Sequence, residues 1–71
     1  MANVTWETLP RSERAEINQY QCDVWRVGGG ARLSVWSHIY KVYIAGGKLD
    51  SVEAAKAYAV NAALNPEDFA E

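Results

Sequence analysis

The sequence predicts an α+β domain in which a small antiparallel sheet packs against one C-terminal helix. Two segments rich in aromatic and β-branched residues flank a run of three glycines at residues 28–30, an arrangement typical of a β-hairpin. An alanine-rich segment at residues 52–64, followed by Asn65 and Pro66, is typical of a helix. A chain of 71 residues suffices for one such domain, so we expect residues 1–71 to form a single unit.

The sheet is predicted to contain two or three strands. The first covers residues 19–27 and enters the glycine run, because glycine adopts the positive φ angles of a tight turn without steric cost. Residues 31–37 and 39–45 continue the β-prone composition. They form either two strands that break near Ser37 and His38 or one long bent strand, and composition does not decide between the two.

The last predicted strand shows an alternation of period two. Tyr40, Val42 and Ile44 share one face. The other face carries Lys41 and Tyr43. Because a half-buried strand turns its apolar side chains toward the core, the face with the even residue numbers is predicted to be buried. The glycine pair that follows is predicted to end the sheet.

The helix is predicted to run from Ser51 to Leu64. Asp50 and Glu53 have the spacing of a capping box, in which a polar residue caps the first turn and an acidic residue three positions later reaches back. The helix is expected to end before Asn65, because the following proline disfavours the helical conformation there.

Two apolar surfaces are predicted on this helix. One is a narrow stripe of small side chains that allows close contact with the sheet, formed by Val52, Ala55, Ala59, Ala62 and Ala63. The other flank carries Val60 and Leu64 and needs a separate cover. The candidates are the N-terminal segment with Trp6 and Leu9, the tail with Phe69, and a second copy of the protein. With a second copy, Val60 and Leu64 would form a homodimer interface.

The N-terminal arm is predicted to cover residues 1–18, and residues 65–71 form a tail. Residues 8–17 contain a proline near their start and several helix-forming charged residues. They are expected to form either a short helix or an irregular arm held by Trp6.

Net charge narrows the range of partners. The chain carries −2 at pH 7 and has a pI near 5.3, values that do not suit a protein whose whole surface binds nucleic acid or an anionic membrane. Both ends of the chain are acidic. Residues 24–49 contain no acidic residue, and their basic residues are Arg26, Arg32, Lys41 and Lys48.

The single cysteine, Cys22, cannot form a disulfide within the chain. The N-terminal residues lack the basic start and the apolar run of a secretory signal. No apolar segment approaches the roughly 20 residues of a membrane-spanning helix. We therefore expect a soluble protein in the cytoplasm.

Catalytic chemistry is not predicted. A nucleophilic mechanism requires Cys22 or a serine to be activated by His38, the single histidine. We expect Val27 to face Ala31 across the glycine turn. Cys22 would then face Trp36 rather than the histidine. One histidine and one cysteine cannot supply a structural zinc site, and no cofactor is expected, so the protein is predicted not to be an enzyme.

Binding is the predicted function. The sheet face away from the helix is expected to combine aromatic rings with positive charge. Trp, Tyr and Arg dominate the hot spots of protein interfaces, which favours a protein partner. Aromatic rings and basic groups also contact nucleic acids, which makes nucleic acid the alternative partner. The candidate partner-binding residues are Trp25, Arg26, Arg32, Trp36, His38, Lys41 and Tyr43.

Residues 20–64 resemble small phage and prophage accessory proteins built from a hairpin or three-stranded sheet and one alanine-rich helix. The resemblance depends on Tyr-Gln-Cys-Asp-Val at residues 20–24, Trp36, Tyr-Lys-Val-Tyr-Ile at residues 40–44, and the glycine-to-helix segment at residues 46–59. Phage proteins of this size, anti-CRISPR proteins among them, often bind a host protein and block it. The resemblance implies a steric inhibitor of a host protein.

Residues 47–58 are also similar to the strand-to-helix junction of ethylene-response-factor DNA-binding domains and of integrase arm-binding domains. Those domains read DNA with a three-stranded sheet, so this resemblance implies a sheet-based DNA-binding accessory protein as the alternative function. The chain departs from them because its sheet lacks their repeated arginines and its net charge is negative.

Overall fold

A computed structural model of the protein describes residues 4–66. Within these residues, five strands form one antiparallel sheet in which each strand pairs with its neighbours in the sequence. One helix packs mainly over the third, fourth and fifth strands of the sheet. The α+β class is confirmed, but the predicted count of two or three strands is too low. The elements are β1 (Glu7–Thr8), β2 (Glu13–Ile17), β3 (Tyr20–Val27), β4 (Gly30–Ser37), β5 (Val42–Leu49) and α1 (Val52–Leu64).

β1 and β2 lie where an N-terminal arm or short helix was predicted. Ala15 and Ile17 of β2 are buried, and they pair with Cys22 and Tyr20 of β3. The burial of these two side chains outweighs the helical propensity of the Glu, Arg and Ala residues in this segment. Asn18 opens the turn to β3 with φ of 57°, a left-handed conformation that asparagine adopts more readily than most residues.

The β3–β4 hairpin closes one residue earlier than predicted. Val27 pairs with Gly30 rather than with Ala31, which leaves two glycines in the turn. Three successive glycines permit either closure, so composition does not determine the register. The shift of one residue pairs Cys22 with Val35 instead of with the expected tryptophan.

A tight turn separates β4 from β5, so the region after the glycine turn forms two strands. The backbone N–H of Lys41 donates to the carbonyl of Ser37 at 2.9 Å, and the N–H of Tyr40 donates to Ser37 Oγ at 3.1 Å. Lys41 has φ of 60°, which lies outside the range of a strand. β5 therefore runs from Val42 to Leu49, and the glycine pair predicted to end the sheet lies within it.

The predicted core face of the last strand is correct for Ile44 but not for Tyr40 and Val42. Tyr40 is 72% exposed and Val42 is 49% exposed, and of the three predicted residues Ile44 packs against the core. Ile44 is an extra residue, since the residues on either side of it pair with consecutive residues of β4. Such a bulge reverses the alternation, so odd-numbered residues from Ala45 onward face α1.

The helix begins at Val52, and its cap is Ser51 rather than Asp50. Ser51 Oγ accepts a hydrogen bond from the backbone N–H of Ala54 at 3.0 Å. A serine cap of this kind stabilises a helix by about 1 kcal/mol. The helix ends at Leu64, before the proline, as predicted. Among the described residues, no helix combines the length and the apolar character needed to cross a membrane.

Small side chains of α1 lie on large side chains of the sheet. This packing brings the helix backbone close enough for Cys22 Sγ to lie 3.7 Å from the carbonyl oxygen of Ala59. The sheet contributes Ile17, Val24, Leu33 and Val35 to the core. The helix contributes the predicted stripe of buried alanines, Ala55, Ala59, Ala62 and Ala63.

The N-terminal segment contributes to the cover over the core. Trp6 packs against the core, and Lys56 Nζ of α1 lies 5.2 Å from the centroid of its ring. Val60, one turn after Lys56, is half-buried and also packs against the core. Leu64 remains 45% exposed. Phe69, the candidate cover from the tail, lies outside the described residues.

Burial of Cys22 links stability to alkaline pH. Desolvation, with smaller effects from the negative charges of Asp23 and Glu16, raises the pKa of the thiol from 9.0 to about 11. Below pH 9.0 the folded and the unfolded chain both keep the thiol proton. At higher pH the unfolded chain loses the proton first, so the free energy of unfolding falls by about 1.4 kcal/mol per pH unit until the folded thiol also titrates.

We therefore expect the wild-type protein to lose about 3 kcal/mol of stability through this thiol between about pH 9 and pH 11. Urea unfolding across this range measures the loss. A Cys22→Ala variant is the control, because it retains every other titrating group. Parallel pH profiles for the two proteins would show that the thiol is not the cause.

Candidate partner-binding surface

The sheet face opposite α1 is the candidate site, and we call it the outer face. Its side chains alternate along each strand with those that point to the core. The strand registers arrange them in cross-strand rows. The rows are Glu16, Gln21, Trp36 and Tyr43; then Arg14, Asp23, Ser34 and Gly46; then Trp25, Arg32 and Lys48.

Aromatic side chains form the apolar part of the outer face. Trp36 and Tyr43 meet edge to face, with ring centroids 4.8 Å apart and an interplanar angle of 67°. This geometry stabilises an aromatic pair by about 1 kcal/mol beyond the effect of buried area. Trp25 and Trp36 are half-buried, whereas Tyr43 is 68% exposed. In the monomer, Tyr43 therefore remains largely in contact with water while its ring is held against Trp36.

A shallow depression lies between Trp25 and Tyr43. Ser34 and Gly46 line it, and they pair with each other across β4 and β5. Both residues are small, so the flanking rings stand above them. A Cβ atom at Gly46 would meet Leu33 O at an ordinary 3.4 Å, so this glycine leaves space without relieving a collision. An apolar side chain of a partner placed in the depression would contact aromatic rings on both sides.

The charges of the outer face are mixed in sign. Arg14 Nε donates to Asp23 Oδ1 at 2.8 Å, and Gln21 Nε2 donates to Asp23 Oδ2 at 2.9 Å. The hydrogen bond to Asp23, with its negative charge, raises the pKa of Arg14. Toward the β3–β4 turn, Arg32 and Lys48 pair across the strands and are exposed. The outer face thus has a basic end at Arg32 and Lys48, and beside it the charge of Asp23 is paired with Arg14.

Two of the predicted site residues lie off the outer face. Arg26 is on the α1 side of β3, where it borders the beginning of the helix near Ser51 and Glu53. Lys41 lies in the β4–β5 turn. The predicted residues that the registers bring together on the outer face are Trp25, Arg32, Trp36 and Tyr43.

His38 lies at the margin of the outer face. Its Nε2 is 3.2 Å from Oε1 of Glu16, and its backbone N–H donates to the carbonyl of Gln19 at 3.0 Å. Cys22 is buried on the α1 side, where its Sγ contacts Ala59, so the thiol is not presented to the histidine. Among the described residues, no three His, Cys, Asp or Glu side chains are grouped as a metal site would require.

On the β4 and β5 part of the outer face, the residues that were not among those predicted are Ser34, Gly46 and Lys48. Counting in steps of two from Trp36 finds Ser34, because β4 alternates regularly. Counting in steps of two from Tyr43 along β5 does not find Gly46 or Lys48, because the bulge after Tyr43 changes the alternation.

Comparison of the chain with protein-family models, with curated proteins and with solved structures found no match. A function must therefore be inferred from the surface that the fold presents.

Proposed function

We propose that the protein is a non-enzymatic binding module that holds a host protein on its outer face and inhibits it sterically. The observation that carries this proposal is the position of Trp25 and Tyr43 at a depression that small residues line, with Trp36 packed against Tyr43. Exposed apolar patches on small proteins mark interaction sites. The cytoplasm is the proposed compartment, in keeping with the unpaired Cys22.

The state of the aromatic side chains supports tight binding. Trp25 and Trp36 are half-buried in neighbouring strands, and Tyr43 supports Trp36 through the edge-to-face contact. Side chains that are already held lose little conformational entropy when a partner binds. Aromatic anchors of this type are the residues whose truncation typically weakens binding by about 2 kcal/mol or more.

The charge distribution favours a protein over a nucleic acid. The basic residues Arg14, Arg32 and Lys48 share the outer face with Asp23 and Glu16. A nucleic-acid backbone requires several cations without opposing carboxylates, because each bound phosphate is neutralised by a basic group. A protein partner can instead match charges of both signs around an apolar centre.

Sheet-based DNA binding is the second candidate function. The feature that favours it is the row formed by Trp25, Arg32 and Lys48, which places two basic groups beside an aromatic ring. Single-stranded nucleic acids stack on aromatic rings and bind neighbouring cations. The affinity of such a complex would fall strongly as the salt concentration rises.

Affinity capture from a bacterial lysate, with and without nuclease, tests the proposal. Wild type is compared with two variants, Tyr43→Ala and Tyr40→Ala. The Tyr43 side chain is 68% exposed and the Tyr40 side chain is 72% exposed, but of the two only Tyr43 lies on the outer face. We expect wild type to retain a stoichiometric protein after nuclease treatment. Recovery should fall at least about tenfold for Tyr43→Ala and stay unchanged for Tyr40→Ala.

Two results would contradict the proposal. Recovery of nucleic acid alone, lost on nuclease treatment, would support the DNA-binding candidate instead. Equal recovery with Tyr43→Ala and wild type would show that the partner binds elsewhere. Inhibition is checked separately by adding equimolar protein to the captured partner, whose activity should then be lost.

A further inference from the structure

β5 forms a long open edge of the sheet. The strand order ends at β5, and within residues 4–66 seven of its eight residues pair with β4 and none pairs on the other side. The opposite edge is much shorter, because β1 has two residues. An open edge presents backbone N–H and C=O groups that pair readily with another extended chain.

Exposed apolar side chains are concentrated at the start of this edge. The second half of β5 contains Gly46 and Gly47, which have no side chains. Clustered exposed apolar residues mark an interface rather than ordinary solvent-exposed surface. The exposed residues are Ile39 at 58%, Tyr40 at 72%, Val42 at 49% and Tyr43 at 68%.

The two halves of β5 complement each other. In an antiparallel pair of β5 strands related by a two-fold axis through the middle of the strand, Val42 of one copy can lie opposite Gly47 of the second copy. Tyr43 then lies opposite Gly46 of the second copy. In each copy Val42 covers the bare backbone at Gly47 of the other strand, while Tyr43 stays against Trp36 of its own chain.

The bulge at Ile44 makes this register sterically consistent. Opposed residues of an antiparallel pair point to the same face, whereas residues three apart in a regular strand point to opposite faces. In this bulged strand Tyr43 and Gly46 both lie on the outer face, and Val42 and Gly47 both lie on the α1 side. A symmetric pairing therefore places Tyr43 opposite Gly46 and Val42 opposite Gly47 with both members of each pair on the same face.

We infer that β5 is a homodimerisation edge, which pairs with β5 of a second copy and joins the two sheets into one. The aromatic outer faces of both copies then lie on the same side of the joined sheet. This interface differs from the predicted one at Val60 and Leu64, because Val60 already packs against the core of its own chain.

Sedimentation velocity over a range of concentrations tests the inference with two matched variants. Val42 and Leu64 are apolar residues of similar exposure, 49% and 45%, and each is replaced with lysine. Lysine on an edge strand opposes pairing. We expect wild type to dimerise reversibly, Val42→Lys to raise the dimer dissociation constant at least about tenfold, and Leu64→Lys to leave it unchanged. Circular dichroism checks that both variants remain folded.

Hydrogen exchange provides a measurement on the wild-type protein. Amides of residues 42–47 should exchange more slowly as the protein concentration rises, while those of β1 should not change. A wild-type protein that remains monomeric throughout would overturn the inference. Loss of the dimer with Leu64→Lys and its retention with Val42→Lys would overturn it as well.

Discussion

Replacing Gly30 with alanine is expected to lower the free energy of unfolding by about 3 kcal/mol or more. A Cβ atom at Gly30 would collide with the carbonyl oxygen of Leu49 and lie 3.2 Å from its carbon. These are backbone atoms, so only movement of the end of β5 relieves the collision. Because β5 leads directly into α1, this movement also displaces the start of the helix. Small domains have roughly 5–15 kcal/mol of stability in total, so the loss would be severe.

Gly28→Ala is the matched control for this prediction. Gly28 belongs to the same glycine run, but a Cβ atom there has no neighbour within 4 Å. The free energy of unfolding of the Gly28→Ala variant should therefore stay within about 0.5 kcal/mol of wild type. Urea unfolding of the three proteins measures the difference. Equal stability of the Gly30 and Gly28 variants would show that the contact between β4 and the end of β5 is not close.

Replacing Ser34 with phenylalanine is expected to weaken partner binding at least about 30-fold, which corresponds to about 2 kcal/mol. Ser34 lies on the central part of the outer face, between Asp23 and Gly46 in the register. A phenylalanine ring there would fill the depression beside Gly46 and exclude the side chain of the partner. Aromatic residues favour strands, so the fold should be retained. Titration calorimetry with the captured partner measures the affinity.

Ser34→Thr is the control for the filled depression. Threonine adds one methyl group and favours a strand, so this variant should bind nearly as well as wild type. Thermal unfolding should show both variants folded at the temperature of the titration. Full affinity of Ser34→Phe would contradict the assignment of the depression to the interface.

The sequence was sufficient to predict the helix and its orientation toward the sheet. The alanines at residues 55, 59, 62 and 63 fall on one stripe, and the proline at residue 66 fixes the end, so both features depend on local spacing. The cap was misplaced by one residue because Asp50 and Ser51 are both good caps. Only the hydrogen bond from Ala54 to Ser51 distinguishes them.

The first strands could not be predicted from local propensity. β2 consists of Glu, Arg, Ala, Glu and Ile, most of which favour a helix in isolation. Its conformation is determined by pairing with β3, where Ala15 and Ile17 are buried. A contact between distant segments therefore overrides the local preference. The turn at Asn18 was the remaining local signal of a hairpin.

The outer face was predictable only in part. Trp25, Arg32 and Trp36 follow from alternation along β3 and β4, which are regular. The depression required the register between β4 and β5, which depends on the turn after Ser37 and on the bulge at Ile44. Neither feature follows from the alternation of apolar residues, because the turn depends on hydrogen bonds to Ser37 and the bulge depends on a shift in register.

The central claim is that a partner protein binds the outer face. An NMR titration that follows the indole N–H signals of the three tryptophans tests this claim most directly. Trp25 and Trp36 lie on the outer face, whereas Trp6 packs against the core beside Lys56. We expect the signals of Trp25 and Trp36 to shift when the captured partner is added, and the signal of Trp6 to stay in place. A shift confined to Trp6 would contradict binding at the outer face.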